Sequence, residues 1–181
     1  MFHMSKPAFN DLQVDGVSLG RERLLAGPVL AFRAPEAEWH YLVEQVLRDR
    51  LEVALGVVVS RNLVFDATKP WLERNLSAFS LVVVDAGLWD HLDDLITFCQ
   101  GIRHMDPHMP ILLLSADVSS DDFSHSREPI CDATLRLPLS ADRVFDGIIF
   151  SEAGRRNAFA RRRVRLSLGD CEGEPSPIQA K

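Results

Sequence analysis

Three short apolar runs in this chain end on residues that could do chemistry. Asp85 closes Leu81-Val82-Val83-Val84, Ser115 closes Ile111-Leu112-Leu113-Leu114, and Leu137-Pro138 closes the run that starts at Thr134. A carboxylate and a hydroxyl at strand ends could accept a group, hold a cation or donate to an anion, if the fold brings them together. Other constellations are poorer. His104 and His108 have the spacing of a helical metal pair, but Pro107 lies between them and Pro110 follows, so the stretch reads as a solvated turn. Asp85, Ser115 and a histidine would supply the parts of a hydrolytic triad, yet no Gly-x-Ser-x-Gly elbow exists and no histidine stands at a predicted strand end. Neither a Gly-x-Gly-x-x-Gly nor a Walker-type phosphate loop occurs. Cys99 reads as a core residue of its helix and Cys131 as a loop or edge thiol. No catalytic residue is assigned, and the expectation is a protein that is not an enzyme.

The elements that must position these residues alternate. Val29–Phe32 is followed by Pro35-Glu36, suited to a first helical turn, and then by Val43, Leu47 and Leu51 at four-residue steps. Gly56 breaks that pattern before the β-branched Val57-Val58-Val59. Lys69-Pro70-Trp71-Leu72 opens a shorter helix ending near Leu76. After Asp85, Asp90 can cap a helix carrying Leu92, Leu95, Ile96 and Cys99, which Pro107 and Pro110 stop. Asp121 to Cys131 is polar and holds Pro129, so its helix should be short or irregular. The last helix starts at Ser140, with Val144, Phe145, Ile148 and Ile149 on one side. Strand and helix thus alternate five times. The expected architecture is α/β, a flavodoxin-like three-layer sandwich around a five-stranded parallel sheet of order 2-1-3-4-5, with ligands beyond the carboxyl ends of the strands.

Composition sets the outer bounds. At 181 residues, 46% hydrophobic and 25% charged, the chain has the mix of one soluble globular domain. Its longest apolar runs are far short of the roughly 20 residues that span a bilayer, and the N-terminus has no apolar signal core. Cys99, Cys131 and Cys171 are odd in number and far apart, so they form neither a disulfide framework nor a zinc spacing. A cytoplasmic protein without membrane association is expected. The organisation reads as an extension over 1–26, a core domain over 27–154, a basic helical extension over 155–168 and a tail over 169–181.

With the motifs in register, the chain resembles the receiver (CheY-like) domain of bacterial response regulators over roughly Pro28 to Gly154. In that family the third strand ends in the aspartate that accepts a phosphoryl group, the fourth in Ser or Thr followed by Ala, and the fifth in Lys-Pro. Asp85, Ser115-Ala116 and Leu137-Pro138 fall at those places. The resemblance makes Asp85 the equivalent of the phosphoacceptor and Arg33, Glu36, Ser115, Ala116, Leu137 and Pro138 its strand-end pocket. The departures point to a pseudo-receiver. Where the family carries a pair of magnesium-binding acids, this chain has Arg33-Ala34, with Glu36 the sole acid nearby; the lysine is replaced by Leu137 and the aromatic switch position by Thr134. An acyl phosphate needs a metal and a fixed cation beside it. The implied function is a stand-alone, two-component-related signalling protein acting through phosphorylation-independent protein contacts, without a cofactor. Two alternatives stand beside it. One is a working single-domain regulator phosphorylated on Asp85, with a magnesium site that uses Glu36; the other is a small flavodoxin-like ligand-binding module or enzyme. Two readings stand for Arg33: it pairs directly with Asp85 in place of metal and phosphate, or it points to solvent and leaves Asp85 as a helix-capping or leftover acid.

The charge is unevenly spread. Glu152 to Asp170 holds six arginines against two acids, a net of +4, which leaves −10 on the rest of a chain whose total is −6. Arg155, Arg156, Arg161, Arg162, Arg163 and Arg165 are candidates for partner binding. The overall acidity argues against nucleic acid as the target. The resemblance places the contact surface, for a signalling partner or a second copy, on the fourth and fifth strand–helix units. Phe145, Phe150 and Phe159 are candidate anchors.

Overall fold

The computed structural model describes residues 13–14, 17–18, 25–59, 65–127 and 129–169; of the tail over 169–181 only Gly169 is described, as the last residue of a helix, and most of the N-terminal extension lies outside. Five strands form one parallel sheet: β1 (Val29–Arg33), β2 (Leu55–Val59), β3 (Leu81–Asp85), β4 (Ile111–Ser115) and β5 (Ala133–Arg136), in the order β2-β1-β3-β4-β5. This is the expected 2-1-3-4-5 arrangement of the flavodoxin-like, CheY-like α/β fold. Every residue of β3 and β4 is buried, as continuous apolar runs in a doubly covered sheet should be. Register sets Asp85 beside Leu114, and Ser115 beside Arg136, so the strand-end residues share one edge.

Helices α1 (Trp39–Val46), α2 (Phe65–Asn75), α3 (Leu92–Met105) and α4 (Ala141–Gly169) cover the two faces. One core lies under α2 and α3, with Phe32 edge-on to Phe98 at 5.0 Å between ring centres. The other lies under α1 and α4, where Trp39, Val43, Leu47, Val144 and Ile148 meet the opposite side of the strands. The stripe Val43, Leu47, Leu51 does form one face, but the helix loosens into a π turn at Leu47–Leu51 and stops at Glu52, which takes the left-handed conformation at φ 56°.

Several boundaries differ from the sequence expectation. Helix α2 starts at Phe65, four residues before Lys69, so Pro70 lies inside it rather than at its opening. The Phe65 ring packs 6.1 Å from that of Phe98, and this tertiary contact outweighs the local start signal of the proline. His91, not Asp90, occupies the N-cap of α3. Ser140 does precede α4, with its carbonyl accepting from Val144 N at 3.0 Å. Between β4 and β5 there is no α-helix among the described residues, only a 3₁₀ turn at His125–Arg127 and a bridge from Asp122 to Thr134. A short antiparallel ladder, Gln13–Val14 with Val17–Ser18, flanks Asp15-Gly16. Leu25 is buried in the α1/α4 core, so the domain begins slightly before residue 27.

Helix α4 is continuous from Ala141 to Gly169, and the proposed boundary at 154/155 therefore divides one helix. No helix among the described residues is long and apolar enough to cross a membrane.

Candidate functional site

At the carboxyl edge Asp85 is 4% exposed. Its Oδ1 accepts from the Gly87 backbone N–H at 3.0 Å, which caps the 3₁₀ turn Ala86–Leu88. Its Oδ2 accepts from the indole Nε1 of Trp39 at 2.9 Å in a buried bond. Trp39 is the first residue of α1, and its ring belongs to the α1/α4 core. Both carboxylate oxygens of Asp85 are thus engaged by the protein itself. Ser115 is buried beside it and directs its Oγ to its own turn, accepting from Asp117 N at 3.1 Å.

Of the two readings of Arg33, the direct pair with Asp85 does not form, and Asp85 is a capping residue. Arg33 Nη1 instead donates to the carbonyls of Ala34, Pro35 and Ala37 at 2.9, 2.9 and 2.8 Å. The guanidinium closes the β1–α1 turn, in which the Ala34 carbonyl also accepts from Ala37 N at 3.2 Å and the Ala37 carbonyl lies 3.1 Å from His40 Nδ1. Glu36 is exposed in that same turn. Among the described residues, no three His, Cys, Asp or Glu side chains come together as metal ligands. Leu137 and Pro138, joined by a cis peptide bond, line an apolar crevice of about 550 Å³ with Trp39, Leu42, Ala116 and Leu139. The edge therefore brings Asp85 and Ser115 together with Leu137 and Pro138, but among the described residues no cation pairs with Asp85. Sequence reasoning missed Trp39. Its step of four to Val43 marks it as a core residue, but nothing in the spacing shows an indole N–H reaching a carboxylate 46 residues away.

The arginine-rich segment divides. Arg155 is not part of an exposed arm: its side chain is 11% exposed and its Nε stands 3.3 Å from Asp132 Oδ1. Arg103 Nη2 reaches Asp132 Oδ2 at 2.6 Å, and the same oxygen accepts from Ile111 N at 2.7 Å. Asp132 precedes β5, so this cluster fixes α3, α4 and the amino ends of β4 and β5 to one another. Arg156, Arg161, Arg162, Arg163 and Arg165 follow on the helical backbone, and their side chains lie outside the described residues, as does that of Phe159. Phe145 and Phe150 are half-buried and packed within the molecule: Arg50 lies over the Phe145 ring at 5.3 Å, and Phe123 meets Phe150 at 5.2 Å.

The connection that replaces a fourth helix is held by charge. Arg143 on α4 grips Asp121 with two nitrogens, Nε at 2.7 Å and Nη2 closer still, and donates to the carbonyls of Pro138 and Arg136. The Arg143 guanidinium, helped by the Arg136 backbone N–H, holds the Asp121 carboxyl below its usual 3.8. Beside this connection, α3 and β4 frame a second cavity of about 550 Å³. Two thiols sit in the neighbouring core: burial pushes Cys99 up to about 12 and raises Cys131 as well.

No protein-family model and no curated protein matches the sequence. Solved structures do match its fold. A pilus assembly-related protein from Burkholderia pseudomallei K96243 superposes with a TM-score of 0.53 at 18% identity, over 71% of this chain and 90% of that one. A response regulator receiver protein from Sinorhizobium medicae WSM419 gives 0.52 at 18% identity, over 72% and 98%. The beryllofluoride-activated NtrC4 receiver domain dimer gives 0.52 at 15% identity, over 71% and 98%. The chain has a receiver-like fold.

Proposed function

We propose that this chain is a receiver-like signalling protein that acts by binding other proteins, and that Asp85 does not carry a phosphoryl group. The observation that carries the reading is the buried bond from Trp39 Nε1 to Asp85 Oδ2. A phosphoryl group on Asp85 would have to displace the indole and bring a dianion into a site where the described residues place no second acid for magnesium and no free cation for the phosphate. Arg33 is committed to three carbonyls, Glu36 faces solvent, and Leu137 stands where the resemblance places lysine. No cofactor or catalytic role is assigned, and the protein is taken to work in the cytoplasm.

The contact surface is the β4 and β5 side of the molecule together with the arginines beyond Arg155. The similar NtrC4 receiver is a dimer, and association with a signalling partner or a second copy is proposed for this chain in the same spirit. Incubation of the full chain with acetyl phosphate and magnesium, read by intact-mass spectrometry, tests the reading. The unmodified mass is expected throughout. A phosphoryl adduct that is lost in Asp85→Asn would return the chain to the working response regulators.

A further inference from the structure

We infer that the cavity between α3 and the β4–β5 connection is a docking groove for the arginine-rich end of α4 from a second copy of this chain. The inference rests on the reading above of a protein that works by contact, and it names the partner and both surfaces. The cavity exists because the β4–β5 connection is a loop rather than a helix, which leaves the flank of α3 without a neighbouring helix. Its floor is apolar, with Leu95, Leu113 and Ile130, and Leu92 stands at its mouth 69% exposed. Its volume of about 550 Å³ suits a row of side chains from one helix face.

Charge selects the occupant. Asp90 and Asp117 line the cavity, and Asp93 and Asp94 occupy the exposed first turn of α3. None of these four acids makes an ion pair among the described residues, whereas the one arginine in the lining, Arg127, is already paired with Asp122 at 3.4 Å. The groove thus calls for a helix with apolar residues at four-residue steps and cations beside them. Residues 156–169 match that demand: five arginines and no acid, with Ala160, Val164 and Leu168 at successive steps of four on a helical backbone.

Geometry places the contact between molecules. Helix α4 starts at the carboxyl edge and has crossed the sheet by Arg155, which is tied to Asp132 at the amino edge. The remaining 14 residues continue for about 21 Å from there. The cavity runs along the face covered by α3 rather than by α4, from Ile130 and Cys131 beside the amino edge to its acids Asp90 and Asp117 at the carboxyl edge, away from where α4 is heading. A continuous helix cannot turn back to it, so the arm is delivered in trans, and two copies can exchange arms reciprocally.

The test is sedimentation velocity on the full chain with two charge-reversed variants. One reverses the arm (Arg161→Glu, Arg162→Glu, Arg163→Glu); the other reverses the groove (Asp90→Lys, Asp117→Lys). Wild type is expected to self-associate, and more weakly as salt rises. Each variant alone is expected to associate roughly tenfold or more weakly. An equimolar mixture of the two variants is expected to recover association, because each reversed arm then meets a reversed groove. A monomeric wild type, a dimer indifferent to both variants, or a mixture that stays apart would overturn the inference, as would an arm that binds RNA while the chain remains monomeric. None of these outcomes involves Asp85, so a failed groove is distinguishable from a failed contact-protein reading, which acetyl phosphate tests separately.

Discussion

At the scale of single residues, the molecule departs from its sequence pattern wherever a polar group finds a distant partner. Asp85 and Ser115 were legible from the runs they terminate, but the partner of Asp85 was not, because Trp39 reaches it through the packing of α1. Replacing Trp39 by Phe keeps most of the ring and removes the N–H. Leaving a buried carboxylate oxygen unpaired should cost about 1–3 kcal/mol in urea denaturation. Arg155 was legible as one of six arginines, yet its place against Asp132 depends on where α4 crosses the sheet edge. Asp132→Ala removes the carboxylate shared by two nearly buried guanidinium groups, with side chains 10% and 11% exposed, and should destabilise by about 3–5 kcal/mol. Arg155→Met keeps the apolar stem and leaves Arg103 paired, so its cost should be clearly smaller in the same experiment. The Asp121–Arg143 pair has a pH signature. The folded Asp121 carboxyl titrates below its unfolded value of 3.8, so the pair's contribution is complete above that pH and fades as pH falls through the lower folded value. The stability difference between wild type and Arg143→Met should therefore shrink below about pH 4.

At the scale of elements, the strands were easier to read than the helices. An unbroken apolar run such as Leu81–Val84 has few alternatives to a buried parallel strand, whereas helix ends depend on contacts made elsewhere. Pro70 looked like an opening signal, but the helix begins at Phe65 because that ring packs against α3. The closeness of α2 and α3 is visible at Gly101, where an added Cβ would lie 2.1 Å from the Phe65 ring. Gly101→Ala gains helix propensity but must push that ring aside, and a net loss of about 1–2 kcal/mol is expected by thermal or urea unfolding. The irregular β4–β5 connection was legible from its polarity and Pro129. What holds it, the grip of Arg143 on Asp121, was not, because the two residues belong to different elements.

At the scale of the whole molecule, the alternation of apolar runs and amphipathic segments was enough to give the sheet order, since right-handed crossovers leave few topologies for five such units. Whether the strand-end site is open or closed was beyond the sequence, because the answer lies in one contact between α1 and β3. On the proposed reading, a receiver-like fold with the Asp85 carboxylate capped from within presents a constant surface to a partner, with no magnesium- or phosphate-driven change. The most direct measurement is an amide NMR titration of the full chain with magnesium and beryllofluoride, following Gly87, Ser115 and the Trp39 indole N–H. The expected result is no saturable shift at these signals in a well-folded sample. Saturable shifts centred on Asp85, with displacement of the Trp39 indole resonance and loss of both effects in Asp85→Asn, would contradict the closed site and identify Asp85 as a working acceptor.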